Sequence, residues 1–138
     1  MKSIVFLGIA ALGLSACADL EAPHQVIAAP ANPNFTLFVS NQSFEMTPVD
    51  ISVYVDDKLA VVGDFEVGSQ HSWFDFDFQL GAGVHQVRGV TKQGRRIVSL
   101  TSMVEVSDDH DFGVLTFWTD REGAEFHFVL QDEEPVFE

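Results

Sequence analysis

Cys17 is the only cysteine of the chain. No intramolecular disulfide can form, so stability in an oxidising compartment has to come from packing alone. Cationic residues are scarce as well. Seven Lys or Arg stand against twenty-one Asp or Glu, for a formal net charge of −14. That balance argues against nucleic acid and against direct binding to anionic lipid surfaces, and it favours cations or basic proteins. Helical periodicity is missing after the first sixteen residues. No Gly-rich phosphate loop is present, and no Ser-His-Asp order surrounds a nucleophile elbow. His71, His85 and His127 stand apart with no metal-ligand spacing. Together these absences point away from catalysis.

The amino-terminal residues carry a distinct pattern. Lys2 precedes an uncharged apolar stretch from Ile4 to Leu14, followed by Ser15-Ala16-Cys17 and then a polar, Pro-containing segment. A basic start, a short apolar run and small residues before a break predict a secretory signal over residues 1–16, too short for a comfortable spanning helix. Leu14-Ser15-Ala16-Cys17 resembles the lipobox of bacterial lipoproteins. An ordinary signal cleaved near Ala16 or Ala18, with Cys17 incidental, is the alternative. In the lipoprotein family the cysteine is lipidated and becomes the first residue of the mature protein, which implies a membrane anchor through acyl chains on Cys17. An Asp directly after that cysteine favours inner-membrane retention. Here the position is Ala18, followed by Asp19. The resemblance therefore implies the periplasmic leaflet of the outer membrane in a Gram-negative cell.

About 120 residues remain, enough for one domain with a proper core. Residues 17–34 are rich in Pro and Ala and read as a lipidated cysteine with a flexible, partly extended tether. From Phe35 the period is two. Strands are expected at 36–41, 50–55, 59–62, 72–80, 84–91, 97–106, 112–119 and 124–131. The clearest places Phe74, Phe76, Phe78 and Leu80 on one face, with Trp73, Asp75, Asp77 and Gln79 on the other. One apolar and one charged face means a sheet wet on one side. The expected fold over residues 35–131 is all-β, an antiparallel β-sandwich of seven or eight strands, with a small β-barrel as the alternative. Residues 132–138 form an acidic tail expected to fray.

Val53-Tyr54-Val55-Asp56-Asp57-Lys58 and, later, Leu80-Gly81-Ala82-Gly83-Val84-His85-Gln86-Val87 resemble the layout of prealbumin-like or PEGA-like sandwich domains. Those run from a strand ending in Val-Asp-Gly to a Pro-Gly-x-His turn entering another strand. Asp57 stands where the Gly is expected and Ala82 where the Pro is expected. The resemblance implies a sandwich of the kind used as adaptors or spacers.

Three groups could carry a site. Asp108-Asp109-His110-Asp111 offers oxygen and imidazole ligands suited to Ca²⁺ or Zn²⁺, though without EF-hand spacing, and a solvated loop is the alternative. Asp75 and Asp77 on one strand face are roughly 7 Å apart, a glycosidase-like spacing, and Trp73 beside them could stack on a sugar ring; a strand's wet face and edge packing of the indole are the alternatives. Arg95 and Arg96, with Arg88 and Lys92, are the one basic cluster in an acidic chain and could orient a partner, a solvated turn being the alternative. The leading expectation is a non-catalytic, lipid-anchored binding or adaptor module of the cell envelope, without cofactor, whose partner is another envelope protein. The alternatives are an acidic inhibitor of a cationic target such as a lysozyme-type enzyme, and a cation- or carbohydrate-binding module.

Overall fold

A computed structural model describes residues 20–68 and 72–137. Cys17 and His71 lie outside the described residues. Nine strands are present among those described: β1 (His24–Gln25), β2 (Phe35–Asn41), β3 (Val49–Val55), β4 (Lys58–Phe65), β5 (Phe74–Phe78), β6 (Gly83–Gln93), β7 (Arg96–Val106), β8 (Asp111–Thr119) and β9 (Ala124–Gln131). They form two open sheets, ordered β1-β4-β3-β6-β7 and β5-β2-β8-β9. The fold is a β-sandwich, and neither sheet closes into the barrel considered as an alternative.

Period-two alternation decides which side chains meet between the sheets. Phe35, Leu37 and Val39 of β2, with Leu115 and Phe117 of the neighbouring β8, share one core with Ile51 and Val53 of β3 and Val61 of β4 in the other sheet, all of them buried. Each such side chain contributes roughly 1.5–3 kcal/mol by leaving water. Gly113 of β8 belongs to the same layer. A Cβ there would stand 2.8 Å from the Phe35 ring, so this glycine leaves room for the aromatic.

Three expectations need correction. The sandwich is not wholly antiparallel, because β2 pairs with β8 in parallel over its full length, Phe35 opposite Asp111 to Asn41 opposite Phe117. Local alternation fixes a strand's face but carries no information about its neighbour's direction. Second, the segment read as a flexible tether is tied down along β4 from Glu21 to Val26. His24 and Gln25 pair with Val62 and Val61. The Glu21 and Asp64 amides exchange bonds of 2.9 and 2.7 Å with the Asp64 carboxylate and the Glu21 carbonyl. Val26 N–H donates to the Ala60 carbonyl at 2.9 Å, and Asn34 bonds Leu80 through both ends of its side-chain amide. Third, the acidic tail is laid back against the sheet through its last aromatic. Phe137 stacks on Trp73, ring centroids 3.9 Å apart and planes within 15°, and meets Phe38 edge-on at 5.2 Å.

Candidate functional site

The outer face of the β5-β2-β8-β9 sheet gathers two of the three groups singled out from the sequence. Asp77 of β5 lies opposite Thr36 of β2, and Thr36 lies opposite Phe112 of β8. The Thr36 hydroxyl donates to Asp77 Oδ1 at 2.6 Å. It also meets His110 Nε2 at 2.7 Å. A hydroxyl has one proton to give, so His110 Nε2–H is the donor in the second bond. The relay runs from His110 through Thr36 to Asp77, joining positions 74 and 41 residues from Thr36 in sequence. Thr36 is 7% exposed. Its proton points at the carboxylate and not at the imidazole, the reverse of what a histidine base activating a hydroxyl requires.

Above this relay lies a groove of about 430 Å³, bordered by Phe38, Asp75, Asp77, His110, Phe112 and the tail residue Glu134. Asp75 is exposed. Trp73 continues the outward-facing row of Asp75 and Asp77 beyond the start of β5, and Phe137 covers one face of its indole. On the same sheet face, Trp118 and Val129 are 44% and 55% exposed, and His127 Nε2 lies 2.9 Å from Glu125 Oε1. The surface is thus aromatic and aliphatic in the middle and carboxylate-rich at its margin.

The tail reaches the groove from β9. Gln131, opposite Phe112, donates from Nε2 to the Glu133 carbonyl at 2.9 Å and turns the chain back over the sheet. Strand order then takes it across β8 and β2 to Trp73 beside β5.

The residues Asp108–Asp111 do not point at one centre. Asp111 Oδ2 accepts from the Ser107 amide at 2.8 Å and from its hydroxyl at 3.0 Å, closing the turn into β8. His110 is drawn away to Thr36, and Asp108 and Asp109 are exposed. No group of three or more His, Cys, Asp or Glu among the described residues could hold a metal ion. The basic cluster is divided as well. Arg88 stacks over the Tyr54 ring at 4.4 Å and lies 3.7 Å from Asp57. Arg95 is exposed in the β6–β7 turn, while Arg96 borders a second groove with Asp120 and Glu122 of the β8–β9 turn and Glu125 of β9.

His85 makes a separate contact at the β3–β4 turn. Asp56 and Asp57 hold φ of 48° and 63°, the left-handed pair that a two-residue hairpin turn requires. Asp57 thereby occupies the conformation in which a Gly was expected. His85 Nδ1 meets Asp56 Oδ2 at 2.6 Å and Nε2 meets the Gly81 carbonyl at 2.5 Å. Both partners are acceptors, so the imidazolium suits the site. The Asp56 hydrogen bond, then the Gly81 carbonyl, raises the His85 pKa above its ordinary value. The His85 bond and the Gln86 amide lower that of Asp56. This histidine is a structural clasp, as its place at a turn predicts.

Sequence reasoning treated Asp75–Asp77 and His110 as unrelated and did not find Thr36, Phe38 or Phe137. Only Phe137 carried a local signal, an aromatic in an otherwise acidic tail. Comparison with protein-family models, curated proteins and solved structures finds no match to this chain.

Proposed function

We propose that this protein is a non-catalytic, lipid-anchored binding module of the cell envelope, and that it binds through the outer face of the β5-β2-β8-β9 sheet. The observation that carries this reading is the convergence of Phe38, Asp75, Asp77 and His110 on one accessible groove, with Trp73 beside it and joined to Phe38 through the Phe137 ring. Aromatic area flanked by a few oriented polar groups is the composition of recognition surfaces. The reversed Thr36 relay supports binding over catalysis, since Asp77 and His110 are engaged in fixing the sheet face.

The lipid anchor rests on the lipobox-like run ending at Cys17. Glu21, bonded to Asp64, comes four residues after Cys17. Four extended residues span at most about 14 Å. A lipidated Cys17 would therefore hold the Asp64 end of β4 close to the bilayer, with no long tether between.

The test is a cross-linking pull-down from envelope extract with the full-length protein, beside Trp73→Ala and Arg95→Ala/Arg96→Ala variants. The expected result is a partner lost with Trp73→Ala and kept by the arginine variant. A partner indifferent to Trp73 overturns the assignment of the face.

A further inference from the structure

We infer that the C-terminal segment Asp132–Phe137 is a built-in competitor for this face, displaced by an arginine-bearing, cationic polypeptide. The inference rests on the binding reading above and names the class of partner.

The segment is held and opposed by different forces. Its anchor is one ring, Phe137, face-on to Trp73 and edge-on to Phe38. Its charge works the other way. Asp132, Glu133 and Glu134 belong to a chain of net charge −14, and Glu134 shares the groove with Asp75 and Asp77. Like charges at such range repel. Phe137 itself remains 37% exposed. The surface is thus occupied by a ligand whose ring fits and whose sign is wrong.

The occupant that satisfies both features is planar and positive. A guanidinium stacks on an indole face as a phenyl ring does, and adds cation–π attraction. Asp75, two residues from Trp73 on the outward row, offers the carboxylate that a stacked guanidinium pairs with. Lysine satisfies the charge but not the plane. The face therefore selects arginine over lysine, and the tail subtracts from apparent affinity by the fraction of molecules in which it is docked.

The probes are hexa-arginine, hexa-lysine and hexa-glutamate peptides, titrated at low salt against the full-length protein, Phe137→Ala and Trp73→Ala. Phe137→Ala preserves every charge of the tail. The expected result is hexa-arginine binding that tightens about two- to tenfold in Phe137→Ala, the range of one aromatic pair. Hexa-lysine should bind more weakly than hexa-arginine, hexa-glutamate should not bind, and Trp73→Ala should weaken hexa-arginine. If Trp73→Ala weakens binding but Phe137→Ala does not tighten it, the competitor role is overturned and the binding face stands. Equal binding to all three proteins means diffuse charge attraction and overturns both. No binding of hexa-arginine to any of them overturns the cationic partner.

Discussion

Segments 21–26 and 132–137 flank the same sandwich and are docked by different means. The N-terminal segment adds backbone to a sheet edge. From Glu21 to Val26 it exchanges amide and carbonyl bonds with β4, and Gln25 Nε2 donates to the Asp77 carbonyl at 2.7 Å, tying that edge to the other sheet. The C-terminal segment reaches its surface chiefly through the Phe137 ring. Backbone pairing along a sheet edge is fixed in register and multiplied over several bonds, and each broken bond leaves a group to be satisfied again. Ring stacking on an open face can be replaced by any group of similar shape. The first segment is therefore part of the fold, and the second is an exchangeable cover.

The strongest way to break this contrast is at Gly63 of β4. A Cβ there would stand 2.5 Å from Pro23 Cα and 2.9 Å from the Ala22 carbonyl oxygen, and φ is +155°. Neither neighbour is a flexible side chain. Gly63→Ala must push the N-terminal segment off β4, at about 1–3 kcal/mol, the usual range for overpacking. The expected readouts are a lower urea midpoint and loss of exchange protection at the Val26 and Asp64 amides. If those amides stay protected, the N-terminal segment is not held by close backbone approach and the comparison collapses.

Salt sharpens the contrast from the other side, with a smaller effect. The docked tail lies in the field of its own charge, and the screening length falls from about 30 Å at 0.01 M to about 3 Å at 1 M. Raising ionic strength should increase tail docking, seen as a larger ring-current shift on Phe137 protons or as altered Trp73 emission in a Trp118→Phe background. The N-terminal amides should keep their protection unchanged. A tail that loosens with salt would mean that ion pairs and not the ring hold it.

Much of the sandwich is legible in the residues. Phe74-x-Phe76-x-Phe78 and Val98-x-Leu100 announce their buried faces by period two, and the turns fall where Asp56-Asp57 and Gly94-Arg95 stand. What the sequence does not carry is pairing at a distance. The parallel β2–β8 contact, and with it the meeting of Thr36, His110 and Asp77, depends on which strand becomes whose neighbour. The docked ends escape notice for physical reasons. A two-residue strand has no period, and a lone Phe137 in an acidic tail has no pattern to join. Gly63 was the available clue, since a glycine inside Leu59–Phe65 marks a place where another backbone comes close.

The smallest effect concerns the turn at the start of β4, along which the N-terminal segment runs. Ile27 borders the same groove as Val55, Asp56 and Leu59, so the clasp of His85 on Asp56 sits at the same edge. Because the His85 pKa is raised in the folded state, its contribution is present in full below the unfolded value of ~6.5 and is lost as pH rises through the folded value. The Asp56 pKa is lowered, so its contribution is present above ~3.9 and is lost as pH falls through its folded value. The clasp is strongest between these limits, in mildly acidic solution. Asp56→Asn keeps a residue that tolerates positive φ but removes the charge. His85 should then titrate nearer its ordinary value by NMR, and the fall in urea midpoint between pH 6 and pH 9 should flatten. The Ile27 environment should loosen with rising pH in the wild type while Phe137 on Trp73 stays as it was. An identical pH dependence in the variant would remove the clasp from the forces that hold the N-terminal edge, leaving the backbone pairing to act alone.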